Sequence, residues 1–196
     1  MTSIDNVSWP LRTERLSIRR AEESDAAAFQ GYRLRPEVSD WLPRLSTDLA
    51  NVEERFREEE FRKRTFMIEM DGQVVGDLYL SLSDAWAQAE VQDRTVDAQA
   101  EIGWALDPAY QGRGLALEAA RRLMALCFEE LGVHRVIAVC FADNETSWRL
   151  MEKLGMRREA HTVRDSLHRE RGWLDGYSYA LLADEWSARR AAGEGA

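Results

Sequence analysis

The stretch from Ala98 to Phe141 constrains the fold of this chain more than any other. Ala98–Leu106 alternates as a strand and ends at Asp107-Pro108. Gly114–Leu131 carries apolar residues at helical spacing, with Leu123, Leu126, Cys127 and Leu131 on one side, and Gly132 stands where a helix stops. Val133–Phe141 is rich in β-branched residues and reads as a buried strand. Strand, helix and strand in that order predict one central βαβ unit.

The rest of the chain supplies shorter elements. Arg12–Arg20 reads as a first strand, and Ser24 or Asp25 caps a helix reaching about Arg35, before Pro36. A second helix is predicted from Asp48 to Arg64, capped by Thr47 or Asp48. Phe66–Met70 and Val74–Leu82 read as strands joined by Asp71-Gly72, a strong hairpin signal. The polar stretch 83–97 reads as an irregular loop or strand extension. Asp143 or Asn144 starts a short helix to Leu154, stopped by Gly155. Strands near Met156–Arg164 and Trp173–Leu182 follow, then a terminal helix and a disordered tail over 191–196. These elements predict a mixed α/β fold with a mostly antiparallel sheet flanked by helices. The length, 196 residues, predicts a single domain with a core over about 11–187.

Composition excludes several classes of function. A net charge of −9 and a pI near 5.0 argue against nucleic acid as a partner, because a phosphate-tracking surface shows a basic excess. The basic runs 62–64 and 157–158 sit among acids and read as solvated faces. Cys127 and Cys140 have no metal-like spacing, and His134, His161 and His168 form no ligand pattern, so no metal is expected. Both cysteines lie in apolar runs and read as buried reduced thiols. No apolar run approaches a membrane span, and the first residues lack a signal-peptide core. A cytoplasmic protein with no membrane partner is the expectation.

Three glycine motifs compete at Gly112-Arg113-Gly114. A P-loop needs Gly-Lys-Ser/Thr, where this chain has Leu-Ala-Leu after Gly114. A Rossmann fingerprint needs a third glycine, where this chain has Leu117, and Asp107–Gln111 intervene after the strand. The third motif is Gln111-x-x-Gly114-x-Ala116, opening the longest helix. The first amides of a helix lack intrahelical partners, and the helix dipole favours an anion there. Glycine lets backbone approach a phosphate without a Cβ in the way.

At this motif the chain resembles the GNAT superfamily of acetyltransferases, whose pyrophosphate signature is Gln/Arg-x-x-Gly-x-Gly/Ala. Arg12-Thr13-Glu14-Arg15-Leu16 resembles the opening strand of its ribosomal-protein N-acetyltransferase-like branch. Asn144-Glu145-Thr146-Ser147 before Leu154-Gly155-Met156 resembles that branch's Asn-x-x-Ser helix and following turn, and Trp173-x-Asp175-Gly176 and Glu185-Trp186 also fit. The resemblance implies the GNAT fold, acetyl-coenzyme A as cosubstrate and acetyl transfer onto a primary amine. It implies that Trp104, Ala105 and Leu106 pair through backbone with the pantetheine arm. Gly112, Arg113, Gly114, Leu115, Ala116 and Leu117, with Gln111 ahead of them, form the pyrophosphate loop. Arg113 reads either as added charge or as an exposed helix start. Asn144 reads as a cofactor contact, an N-cap, or both. Homodimerisation is implied too, with Trp9, Trp41 or Trp86 as contacts unless they are buried in core or pocket.

The chemistry of the acceptor sets how much help its amine needs. A peptide N-terminus, with a pKa near ~7.7–8.0, is roughly a tenth neutral at pH 7, whereas a lysine-like amine at ~10.4 is neutral roughly once in 10³. Glu101 is the candidate base, directly or through water. Strand alternation puts it on one face with Gly103 and Ala105, whose small side chains leave room for a ligand. Its alternative is an acid on a solvated face. Ser147 is the candidate acid or thiol-positioning group by resemblance, and otherwise a helix serine. A tyrosine often stands seven residues after the asparagine in other GNAT enzymes, and this chain has Met151. Direct transfer, without an acyl group on Cys140, is the expected route. The acceptor reads as a protein N-terminus or a small cationic amine. The rival class is a non-catalytic coenzyme-A-binding sensor or interaction module.

Overall fold

The computed structural model describes residues 4–45 and 47–193. The chain forms two compact units, Ser8–Leu80 with Gly103–Arg122, and Ser81–Ile102 with Leu123–Ala196 and the N-terminal Met1–Val7 as far as they are described.

In the first unit, β1 (Leu11–Arg12) and β2 (Ser17–Arg20) are separate antiparallel strands, not the one strand expected over Arg12–Arg20. Thr13 makes the difference: its hydroxyl accepts the Leu16 N–H at 2.9 Å, and its own N–H reaches the Leu16 carbonyl at 3.0 Å, so the chain folds back. A short 3-10 turn over Glu23–Asp25 leads into α1 (Ala26–Arg33). Pro36, expected only to end that helix, opens a further short one, α2 (Pro36–Ser39). α3 (Leu49–Arg57) starts at the Asp48 cap, whose carboxylate accepts the Ala50 N–H at 2.9 Å. The single helix expected to Arg64 breaks at Glu58 (ψ 119°) and resumes as α4 (Glu59–Arg64). Phe56 and Phe61, five residues apart, would point about 140° from one another on a continuous helix. With the break their ring centroids lie 5.0 Å apart, and 5.0 and 5.9 Å from Phe29. Around these rings Tyr32, Val52, Met67 and Ala105 complete a buried cluster.

β3 (Thr65–Met70) and β4 (Gln73–Ser83) form the expected hairpin. Asp71 (φ 52°) and Gly72 (φ 76°) both turn left-handed, as a two-residue hairpin loop requires. Asp77 of β4 is only 4% exposed, yet it accepts the Tyr32 hydroxyl at 2.6 Å and Arg33 at 2.7 Å. A buried acid is tolerated because it is paired and hydrogen-bonded.

In the second unit, the first half of β5 (Gln99–Leu106) pairs in parallel with β6 (Arg135–Phe141), as a βαβ crossover requires. α5 (Leu115–Ala125) starts in the first unit and ends in the second, where it widens into a π-helical turn over Leu126–Leu131. Gly132 (φ 71°) closes that turn by donating to the Cys127 carbonyl. α6 (Glu145–Lys153) precedes β7 (Arg157–His168) and β8 (Gly172–Leu182), which form a longer ribbon than the sequence predicted. His168 Nδ1 accepts the Glu170 and Arg171 N–H groups at 3.2 Å and tightens its turn. A 3-10 stretch over Ala89–Thr95 lies in the expected loop, and α7 (Ala183–Ala191) closes the chain. Of the tail expected to be disordered, 194–196 lies outside the described residues.

The eight strands are ordered β1-β2-β3-β4-β5-β6-β8-β7, a mostly antiparallel sheet in a mixed α/β fold. Among the described residues no helix is long and apolar enough to cross a membrane. Trp9 stacks on Phe66, whereas Trp86 is 92% exposed.

Candidate active site

The site residues fall into two groups, one in each unit. In the first unit, β5 leaves the sheet at Asp107, whose N–H reaches the Val75 carbonyl at 2.9 Å and whose carboxylate caps the 3-10 turn Pro108–Tyr110. The Gln111 carboxamide donates back to the Leu106 carbonyl at 3.0 Å and fixes the corner. Gly112 (φ 74°) and Gly114 (φ 77°) then turn left-handed on either side of Arg113, and all four residues from Gln111 to Gly114 are exposed. The first backbone bond of α5 runs from Glu118 N–H to the Gly114 carbonyl at 3.1 Å, so the amides of Leu115, Ala116 and Leu117 stand ahead of the ladder. Amides without intrahelical partners at a helix start, next to two exposed glycines, fit a diphosphate. Arg113 lies against Tyr110, 5.8 Å from its ring centroid, and its guanidinium reaches Met70 Sδ at 3.8 Å.

The alternation expected along β5 holds from Ala98 to Ile102 and then breaks. Ala105 and Leu106 are both buried, at 6% exposure, while Trp104 is half-buried. The Ala105 methyl joins the cluster of Phe29, Tyr32 and Phe56, so it leaves no room for a ligand. Its carbonyl comes within 2.4 Å of where a Cβ on Gly76 would sit, a close approach that only glycine permits.

In the second unit Glu101 is half-buried and lies beside Ile137 in the parallel register. Cys140, three residues further along β6, faces the other side of the strand. Ser147 joins Cys140: burial pushes that thiol up to about 11, against a smaller downward pull from a Ser147 hydrogen bond. Asn144 is an N-cap, its Oδ1 accepting the Ser147 N–H at 3.2 Å. The fold therefore gathers Asn144, Ser147 and Cys140, and leaves Glu101 on the opposite face of the sheet. Met151 is buried at 1% exposure.

Two features escaped the sequence reading. Tyr179 of β8 donates to Glu152 at 3.0 Å, and burial with that acid pushes its hydroxyl up to about 12. Thr13 and Arg15 bond Glu118, one turn into α5. A Glu at the first helical turn was visible in the sequence, but its partners lie more than a hundred residues away.

The acetyltransferase (GNAT) domain model matches residues 15–157. The uncharacterized N-acetyltransferase YnaD of Bacillus subtilis is 42% identical over 87 residues, covering 44% of this chain and 51% of YnaD. The spermidine N(1)-acetyltransferase of Escherichia coli is 28% identical over 103 residues, 53% of this chain and 50% of that enzyme. The chain thus spans about half the length of each of these curated relatives. The crystal structure of a GNAT-family acetyltransferase from Bacillus anthracis superposes with a TM-score of 0.75 at 29% identity, over 90% of this chain and 99% of that one. This chain belongs to the GNAT acetyltransferase family.

Proposed function

We propose that this protein is an acetyltransferase that moves the acetyl group of acetyl-coenzyme A directly onto a primary amine, either a protein N-terminus or a small cationic molecule. The observation that carries the reading is the turn at Gly112–Gly114, with its left-handed glycines and the amides of Leu115–Leu117 ahead of the helix ladder. These groups would hold the diphosphate, and the backbone of Trp104–Leu106 the pantetheine arm. The cosubstrate supplies the acetyl group as a thioester. Glu101 takes the proton of the amine, directly or through water, and Ser147 positions the thiol. A Cys140 thiol pushed up to about 11 stays protonated near neutrality, which supports direct transfer over an acylated cysteine. The net charge of −9 and the similarity to a spermidine acetyltransferase favour a cationic acceptor. Two free cysteines are in keeping with a cytoplasmic setting. A homodimer follows from the family resemblance, and light scattering reads it.

Gly112→Asp tests the turn. Nothing lies within 4 Å of a Cβ there, and Asp adopts positive φ more readily than most residues, so the substitution adds a negative charge without a clash. Affinity for coenzyme A should fall by at least tenfold, read by calorimetry, with the melting temperature little changed. Wild-type affinity in a folded Gly112→Asp protein sinks the assignment. Thiol release with a panel of polyamines, lysine derivatives and N-terminal peptides identifies the acceptor.

A further inference from the structure

Arg15 lies in the turn between β1 and β2, and its guanidinium reaches the glycine turn. Its Nη1 donates to the Arg113 carbonyl at 2.9 Å. Its Nε donates to Glu118 Oε2 at 2.7 Å, and its Nη2 lies 2.6 Å from the same oxygen. Glu118 Oε1 in turn accepts the Arg15 N–H at 2.9 Å and the Thr13 hydroxyl at 2.5 Å. Arg15 Nη2 also lies 3.7 Å from where a Cβ on Gly114 would be. One planar fork thus joins the first residues of the fold to the middle of the turn and to the first turn of α5.

The consequence follows from peptide geometry. In a trans peptide the C=O and the next N–H share a plane and point in opposite directions. Fixing the Arg113 carbonyl toward Arg15 therefore aims the Gly114 N–H away from Arg15, out of the turn. It also occupies a carbonyl oxygen that would otherwise repel an anion at the turn. Gly112 and Gly114 would otherwise leave that plane free to rotate, since glycine populates both signs of φ. Glu118 holds the fork in register, because its Oε2 takes both Nε and Nη2 while its Oε1 is fixed by the Arg15 N–H and the Thr13 hydroxyl.

We infer that Arg15 is a positioning residue for the diphosphate of coenzyme A, acting by setting the Arg113–Gly114 peptide so that its amide faces the ligand. The inference rests on the reading of Gly112–Leu117 as the diphosphate turn, and the Gly112→Asp protein reports on that reading separately.

The test compares calorimetric Kd values for coenzyme A in the wild type, Arg15→Ala, Arg15→Lys and Gly112→Asp, with hydrogen exchange of each free protein. Removing a charge-assisted contact should raise Kd about tenfold or more in Arg15→Ala. Arg15→Lys should not restore it, because an ammonium on a flexible stem cannot bridge the Arg113 carbonyl and Glu118 at once. Faster exchange should be confined to the peptides covering 108–118 and 11–17. Unchanged affinity in Arg15→Ala overturns the inference. So does full recovery in Arg15→Lys, which would make Arg15 a mere charge, and so does faster exchange throughout β3 and α1, which would make it a general fold residue. Wild-type affinity in Gly112→Asp overturns the reading of the turn instead, whatever the Arg15 proteins do.

Discussion

At Glu118 burial raises the carboxyl pKa, but the Thr13 hydroxyl and the amide and guanidinium of Arg15 pull it down further, and the net direction is below the ordinary value. A carboxylate with a lowered folded pKa adds stability that is complete above its unfolded value, near ~4.3, and is lost as pH falls through the folded one. Glu118→Gln should therefore melt lower than wild type at pH 7, by only about 2 °C because the exposed side of Arg15 is screened by water. The gap should begin to narrow as pH falls below the unfolded value of about 4.3 and close only below the lowered folded pKa. Melting curves from pH 3 to 8 check the sign, and a gap that widens in acid contradicts it. Glu101 makes a kinetic prediction. If it takes the amine proton, Glu101→Gln should lower kcat by about 10²–10⁴-fold with affinity for acetyl-coenzyme A retained. The loss should be smaller for a peptide N-terminus than for a lysine-like amine, and should shrink as pH approaches the acceptor's own pKa. A wild-type kcat near neutrality removes Glu101 from the mechanism.

The strand elements depend on one glycine. A methyl at Gly76 would sit 2.4 Å from the Ala105 carbonyl and 3.1 Å from Leu106 Cα, both backbone atoms that cannot swing aside. Gly76→Ala should cost about 1–3 kcal/mol, as overpacking does, and appear as a lower urea midpoint. It should also raise KM for acetyl-coenzyme A, since Ala105 and Leu106 are among the residues assigned to the pantetheine arm. No local sequence signal marks this contact, because a glycine inside a strand records only that something comes close. The other misread elements share that cause. Thr13 turns the chain through a side-chain bond to Leu16, and the break at Glu58 exists because two phenylalanines must meet a third. Elements fixed by their own periodicity, such as α5 and β6, were legible to within a few residues. Even α5 hid its last turn, since a π-turn keeps the same apolar residues and changes only the hydrogen-bond partner.

For the molecule as a whole, the order of strands and helices was enough to read the fold class and the motifs were enough to suggest the family, while the pairing of distant residues was not legible. The glycine turn and the Asn144 cap were visible as motifs, and the Arg15–Glu118 bridge was not, because one half was read as a strand and the other as a helix start. Binding should register globally. A ligand that occupies only the folded state stabilises it by about 2.7 kcal/mol at a hundredfold excess over Kd, or roughly 5–10 °C in a chain of this size. Acetyl-coenzyme A should give such a shift, and NADH or ATP at equal concentration much less. A larger shift with NADH would revive the dinucleotide reading.

The carboxamide of Gln111 bonds the Leu106 carbonyl, so the first letter of the Gln/Arg-x-x-Gly-x-Gly/Ala signature spells a donor turned inward. Glutamine and arginine have little in common in size or charge, but each can present an N–H to a carbonyl. In this chain that position supplies a hydrogen-bond donor to the corner that carries the turn. Gln111→Arg should keep affinity for coenzyme A within a few-fold. Gln111→Glu, nearly the same shape, would set an acceptor against an acceptor and should lose far more.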